Sequence, residues 1–251
     1  MNKLINGDCL EEMKSIPDKS IDMVFTSPPY NIGKSYESII PVVDYIDWSI
    51  RWINELQRVV TNDGAIVINV GYLKDDDIGR AIPITYYLFD KFKEMYLQQE
   101  IVWNYGAGVA CRNYLSPRNE KILWYVSDKS NYTFNLDDIR DTNVKYPNQK
   151  KNGKLRCNPL GKNPTDVWSI PKVTSGTDRS SKERVNHPAQ TPLQLVSTCI
   201  SAFSNRGDVI LDLFMGSGTT GVASKNLNRD FIGIELDKTY FDIAKERISA
   251  T

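Results

Sequence analysis

The chain has 251 residues, 41% hydrophobic and 25% charged, ordinary globular proportions that argue against disorder. At this length roughly three quarters of the unfolded surface can be buried, so one large domain or two small ones can fold without staples. Thirty-one basic residues balance 31 acidic ones, so total charge names no partner and any polyanion contact must come from how charge is distributed. Cys9, Cys111, Cys157 and Cys199 lie far apart with no Cys-x-x-Cys spacing, and His187 is the single histidine; a structural zinc site is excluded and no metal is assigned. No apolar run approaches ~18 residues, and the opening residues resemble neither a signal nor a transit peptide. The expectation is a soluble protein of a reducing compartment, the cytoplasm, with no membrane partner.

In chain order, short apolar runs predict strands at Ile21–Thr26, Ala65–Val70, Glu100–Tyr105, Lys121–Val126, Val209–Phe214 and Phe231–Glu235. Between the first two, Ile46, Ile53, Leu56 and Val60 recur at helical spacing over Asp44–Val60, and Thr61-Asn62-Asp63-Gly64 reads as the stop. Asp237 is placed to cap a last helix whose Phe241, Ala244 and Ile248 form one face. Strands alternating with helices predict an α/β fold, a doubly wound sheet covered on both sides. From Lys145 to Arg184 the apolar period disappears. Ten basic residues (Lys145, Lys150, Lys151, Lys154, Arg156, Lys162, Lys172, Arg179, Lys182, Arg184) there face three acidic ones (Asp166, Asp178, Glu183), a surplus of seven in a neutral chain. Such a segment is either a solvated loop or a surface that releases counterions from a nucleic acid.

Two motifs carry chemistry. In Asp22-Met23-Val24-Phe25-Thr26-Ser27-Pro28-Pro29-Tyr30-Asn31 a buried-looking strand runs into two prolines, which lack an amide hydrogen and cannot extend a ladder. A rigid turn at the carboxyl end of a strand is where open α/β sheets place ligands. Its carbonyls and the Ser27 hydroxyl suit acceptance from an exocyclic NH₂, with Tyr30 as a flat face beside it. A proline-stiffened turn with no ligand is the bland reading, and for a bare Pro-Pro-Tyr it wins. In Leu211-Asp212-Leu213-Phe214-Met215-Gly216-Ser217-Gly218-Thr219-Thr220-Gly221 a strand ends in a glycine turn that opens a helix, where backbone amides attract an anionic group. Glu235, at the end of the next strand, occupies the position that accepts from ribose hydroxyls, which implies a nucleoside-bearing cofactor.

Together, Ser27-Pro28-Pro29-Tyr30 and Phe214-Met215-Gly216-Ser217-Gly218-Thr219-Thr220 resemble the S-adenosylmethionine-dependent DNA amino-methyltransferases. The catalytic motif precedes the cofactor motif, as in the permuted beta class, whose fold is a Rossmann-like sheet with an inserted target-recognition segment. The resemblance implies a catalytic half at 1–134, a recognition insertion at 135–185 and a cofactor half at 186–251. Asn6-Gly7-Asp8-Cys9-Leu10 resembles the family's start, where the acid contacts the cofactor's adenine. His187-Pro188-Ala189-Gln190-Thr191-Pro192 is similar to the stretch lining its methionine end. The implied cofactor residues are Asp8, Cys9, Thr26, His187, Thr191, Asp212, Phe214, Gly216, Ser217, Gly218, Thr219 and Glu235. The implied DNA contacts are Lys34, Lys150, Lys151, Lys154 and Arg156. Thr191 stands where the family often has Lys, and Leu213 where it often has Pro. Ser27 replaces an Asp or Asn frequent in adenine-modifying members; the Ser form is commoner among cytosine N4 enzymes.

The resemblance thus implies methyl transfer to the amine of a base flipped from double-stranded DNA, N4 of cytosine favoured over N6 of adenine, in a restriction-modification setting with a cognate endonuclease acting on the same site. A monomer and a homodimer are both compatible with it. Ser27 and the Pro28 carbonyl would accept from the amine and localise its lone pair, with Tyr30 stacking on the base. Methylation of cytosine C5 needs a cysteine usually preceded by proline, and no Pro-Cys dipeptide occurs. Two further readings are a protein glutamine methyltransferase, against which Ser27 and the motif order count, and an inactive DNA-binding module, against which the two intact motifs count. Trp48, Trp52, Trp103 and Trp124 read as packing residues, Arg118 as a partner of Glu120 or of phosphate, and Asp75-Asp76-Asp77 as a solvated loop.

Overall fold

The computed structural model describes residues 2–106, 108, 110–173 and 182–251; Asp178 and Arg179 of the basic segment lie outside them. An eight-stranded sheet runs in the order β1 (Asn2–Asn6), β12 (Asp230–Glu235), β11 (Val209–Asp212), β2 (Ile21–Thr26), β3 (Val60–Val70), β7 (Asn119–Val126), β6 (Tyr96–Asn104), β10 (Val167–Ser169). Neighbours are parallel except at β7, which runs against both β3 and β6. Small hairpins form from β4 (Tyr72–Asp75) with β5 (Gly79–Pro83), and from β8 (Lys150–Lys151) with β9 (Lys154–Leu155).

Strand alternation divides the core. Val24, Ile66, Ile68, Leu123, Tyr125 and Leu211 face α1 (Cys9–Glu12), α2 (Val42–Val59) and α3 (Thr85–Leu88), joining Trp52, Ile53 and Leu56. Phe25, Val67, Ile122, Trp124 and Ile210 face α4 (Leu193–Phe203), α5 (Thr219–Asn226) and α6 (Lys238–Ser249), joining Val196, Ile200 and Ala223. The doubly wound sheet expected from the sequence is present. Asp237 caps α6 by accepting from the amides of Thr239 and Tyr240, and Ala244 and Ile248 of its predicted face are buried.

Helix α2 ends at Val59, just before Thr61–Gly64, as expected, but no separate turn follows it. β3 runs through these residues, and the register slips between Ile21↔Val60 and Met23↔Ala65, so the extra residues are absorbed as an irregularity beside β2. The basic segment is not one loop. Its Lys150–Leu155 portion is an exposed hairpin, while β10 joins the edge of the main sheet next to β6. Ile170, just beyond β10, is buried and its carbonyl accepts from the Trp103 indole at 2.8 Å.

Where β11 meets β2 only two residue pairs are in register, Ile210↔Met23 and Leu211↔Val24. Side chains extend the join: Asp22 accepts from the Val209 amide at 2.7 Å, and Thr26 Oγ1 donates to Asp212 Oδ1 at 2.8 Å. α5 packs so closely on α6 that a Cβ added at Gly221 would stand 2.7 Å from Phe231 Cε1 and overlap Ile248. Gly221→Ala is expected to lower unfolding free energy by about 1–3 kcal/mol through overpacking, measured by urea denaturation; an unchanged midpoint would mean that α6 gives way freely.

Candidate active site

The carboxyl ends of β2, β3, β11 and β12 converge on one cavity of about 920 Å³, lined by both sequence motifs. Pockets that bury cofactors and similar ligands span roughly 300–1,000 Å³, so the space is at the generous end. From the first motif, Ser27, Pro28, Pro29 and Tyr30 line it; from the second, Asp212, Phe214, Gly216, Ser217 and Thr219 do. Asp8, Cys9, Lys34, His187, Thr191 and Glu235 complete the predicted set that reaches it. Thr26 and Gly218 do not. Thr26 is fully buried, spent on Asp212, and Gly218 faces Ala244 of α6. Lys150, Lys151, Lys154 and Arg156 lie outside the cavity on the exposed hairpin and its flank, where Arg156 donates to the Gln149 side chain.

The proline corner is held from below. Tyr45 donates its hydroxyl to the Pro29 carbonyl at 2.9 Å, so that acceptor is taken, contrary to the expectation that all the corner's carbonyls stay available. The Pro28 carbonyl accepts from no group among the described residues. Beyond Tyr30, Asn31 adopts a left-handed φ of 59° and pairs both ways with the Ile40 backbone at 2.8 Å. Glu37 accepts from the amides of Asn31 and Ile32, which closes the loop.

Ser27 belongs to a network the sequence did not reveal. Its Oγ lies 3.1 Å from the Tyr30 hydroxyl, which donates to Glu120 Oε2 at 3.0 Å. Asn69 Nδ2 donates to the same carboxylate oxygen at 2.8 Å and to the Tyr30 hydroxyl at 2.9 Å. Burial, and then the Glu120 carboxylate, push the Tyr30 phenol well above its ordinary pKa, so it keeps its proton. A bond to a carboxylate is the strongest use of that proton. Ser27 therefore gives its own hydrogen to the Tyr30 oxygen and turns its lone pairs to the cavity. Asn69, at the end of β3, and Glu120, at the start of β7, carry no motif of their own; only strand pairing brings them here.

At the other motif, burial raises the Asp212 carboxyl to about 6 although it accepts from Thr26 and Thr220 hydroxyls and the Phe214 amide. Glu235 accepts from the Gly216 amide and the Asp237 amide, both at 2.8 Å. Gly216, Gly218 and Gly221 stand at the spacing G-x-G-x-x-G, and their tasks differ. Gly216 has φ +50° and a Cβ there would stand 2.9 Å from His187 Nε2, so the turn and the histidine need each other's shape. His187 is stacked on Tyr36 and edge-on to Tyr240. Trp48, read as helix packing, lines the cavity and contacts the Phe214 ring. Burial drives the Cys9 thiol up to about 12, which disables it as a nucleophile. Arg118 donates to the carbonyls of Pro117 and Gly108.

Residues 21–246 match the N6/N4 methyltransferase family, described as DNA methylase. The chain belongs to that family. It is 54% identical over 247 residues to the Type II methyltransferase M.ScaI of Streptomyces caespitosus, spanning 98% of this chain and 81% of that protein. It is 35% identical over 254 residues to the DNA adenine methyltransferase YhdJ of Escherichia coli strain K12, spanning 98% and 82%. The PvuII cytosine-N4-specific DNA methyltransferase shares the fold at a TM-score of 0.76 and 19% identity, over 97% of this chain and 85% of that one. M1.HpyAVI in complex with SAM matches at a TM-score of 0.66 and 28% identity over 99% of each chain. No helix of this methylase, among the described residues, is long and apolar enough to cross a membrane.

Burial lowers the His187 pKa to about 4 from its ordinary 6.5. Unfolded methylase therefore binds more protons than folded methylase between these values, and stability is lost as pH falls through that window. His187→Phe, which keeps the ring, should remove this contribution. Melting temperatures from pH 7 to pH 4 are expected to fall less steeply for the variant than for the wild type; equal slopes would mean that His187 is solvated.

Proposed function

We propose that this methylase transfers a methyl group from S-adenosylmethionine to N4 of cytosine in double-stranded DNA, as the modification half of a restriction system. The observation that carries the reading is that the Ser27–Tyr30 corner and the glycine turn face one cavity. The cavity's donors and acceptors fit the cofactor. Asp8 and Glu235 supply carboxylate oxygens for the amine of an adenine and the hydroxyls of a ribose. Phe214 and Trp48 supply apolar walls, and Gly216 lets His187 close against the turn. Cys9, His187, Thr191, Ser217 and Thr219 line the remainder. Bound there, S-adenosylmethionine supplies a methyl carbon made electrophilic by its sulfonium.

The protein's part is to make a poor nucleophile adequate. An exocyclic amine delocalises its lone pair into the ring. Ser27 Oγ and the Pro28 carbonyl accept from its two hydrogens and favour a pyramidal nitrogen whose lone pair points outward. Holding the amine in line contributes a large part of the rate by itself. When nitrogen acquires the methyl group its N–H becomes strongly acidic, and a route for that proton exists: amine to Ser27 Oγ, Ser27 hydrogen to Tyr30, Tyr30 hydrogen to Glu120. Each oxygen gains one proton and gives one up, and the Glu120 carboxylate ends as the acid. Thr26 and Asp212 act beneath the site as the join between its halves. Residues 135–185 serve as the target-recognition insertion, with Lys34, Lys150, Lys151, Lys154 and Arg156 against phosphates.

Cytosine is favoured over adenine by Ser27. The adenine reading is favoured by the 35% identity to YhdJ, named an adenine methyltransferase. Tritium transfer from labelled cofactor to unmethylated DNA tests the activity, and Ser27→Ala should lower it on the order of 100-fold, the scale of losing one positioned hydrogen bond in a transition state. Label in protein, or in nothing, would sink the proposal. Mass analysis of nucleosides from the treated DNA should show N4-methylcytosine; N6-methyladenine would overturn the choice of base. Replacing Lys150, Lys151 and Lys154 together with Ala should reduce the slope of log affinity against log salt by about 0.9 for each phosphate that a lysine no longer neutralises. Cofactor affinity, read by calorimetry, should not move.

A further inference from the structure

Among the described residues, one cation of the Lys145–Arg184 segment reaches the cavity. Lys172 follows β10, lines the cavity beside Ser27, Asn69 and Glu120, and is half-buried. Its ammonium stands 3.7 Å from Glu120 Oε1 and 3.6 Å from the centre of the Tyr105 ring. Those two contacts anchor the side chain, and neither is a hydrogen bond at these distances, so the ammonium keeps donors for the cavity. The other basic residues of the Lys150–Arg156 hairpin and flank are exposed, so phosphate contact explains them and does not explain Lys172. Burial also lowers its pKa below the ordinary lysine value, against the opposing pull of Glu120.

We propose that Lys172 reads the flipped base, donating a hydrogen bond to the ring nitrogen next to the amino-bearing carbon: N3 of cytosine, or N1 if adenine is the target. The inference rests on the activity proposed above and adds a residue that chooses the base. In a duplex that ring nitrogen accepts from the partner base. Flipping strips the partner away, and an acceptor left unpaired inside a cleft is costly. Lys172 restores the missing donor. The edge it presents with Ser27 and Pro28, two acceptors and then a donor, complements an amino group beside a ring acceptor. Thymine and guanine carry the inverse, a carbonyl beside a ring N–H. Against them the ammonium would face an N–H and Ser27 a carbonyl oxygen, so the same three groups that bind an amino base repel a keto base.

The test uses oligonucleotides bearing the site at which modification-sensitive sequencing of the treated DNA locates the methyl group, with the target base intact or with CH replacing that ring nitrogen (3-deazacytosine, or 1-deazaadenine). Lys172→Met should lower kcat/KM on the intact base by roughly ten- to a hundred-fold, and the deaza base should cost the wild type the same factor. Combined, the two losses should not multiply, because they remove one and the same hydrogen bond. Lys172→Arg, which keeps a donor and the Glu120 pair, should retain more activity than Lys172→Met. Cofactor affinity, measured by calorimetry without DNA, should match wild type in both variants and so shows them folded. Losses that multiply, a wild type indifferent to the deaza base, or a Lys172→Met enzyme as active as wild type would each overturn the base contact alone. If Lys172→Met does not fold, the response of wild type and Lys172→Arg to the deaza base decides. No label in any DNA with wild type would overturn the activity beneath it.

Discussion

A buried hydrogen bond, Thr26 to Asp212, joins residues 186 positions apart in sequence and ties the strand that leads into Ser27 to the strand that leads into the glycine turn. Only two residue pairs of β2 and β11 are in register, too little backbone to fix where the strand ends point. The side chains at the two ends of the seam, Asp22 on the Val209 amide and Thr26 on Asp212, set the alignment. Ser27 follows Thr26 directly, and Phe214 follows Asp212 by two residues. A slip at this seam would move the Ser27 corner away from the glycine turn by a residue's length.

The seam has a cost. Asp212 is a carboxylate removed from water, and burial raises its pKa to about 6. Three donors, two hydroxyls and an amide, hold its charged form. Two of them, Thr220 and Phe214, follow it closely in the chain; Thr26 comes from β2. The acid is thus fully satisfied only when β2 and β11 are paired, and a pairing error leaves a buried charge short of a partner, worth about 1–3 kcal/mol. The same logic recurs across the cavity. Glu120 collects Tyr30, Asn69 and Lys172 from three separate segments, and its carboxylate orders the hydroxyl chain that ends at Ser27. Buried polar networks of this kind specify one arrangement because every partial arrangement leaves groups unpaired.

Much of the fold was legible. The six predicted strands are present, Ile21–Thr26 with the expected bounds and the other five with shifted ends, because apolar runs flanked by polar turns are a strong signal and strand ends are set by partners. β10 was not legible: Val167-Trp168-Ser169 has no apolar period of its own, and its partner β6 makes it a strand. β3 carries Thr61–Gly64 as a bulge, because the pairs Ile21↔Val60 and Met23↔Ala65 on either side hold the strand to β2. Helix α4 was readable in principle, for Leu195, Val196, Cys199, Ile200 and Phe203 repeat at helical spacing after Pro192.

By itself the sequence determined the chemistry's two poles: a proline corner offering acceptors after one strand, and a glycine turn with its trailing acid after another. Those depend on local backbone constraints, which neighbours in the chain impose. The tertiary structure alone decided that both poles open on one cavity, that Thr26 and Gly218 serve the join and the packing rather than the cavity lining, and that Asn69, Glu120 and Lys172 stand beside Ser27. These residues have no local signature because their positions are fixed by strand order and by the desolvation of the groups they satisfy, and neither quantity exists until the sheet has formed.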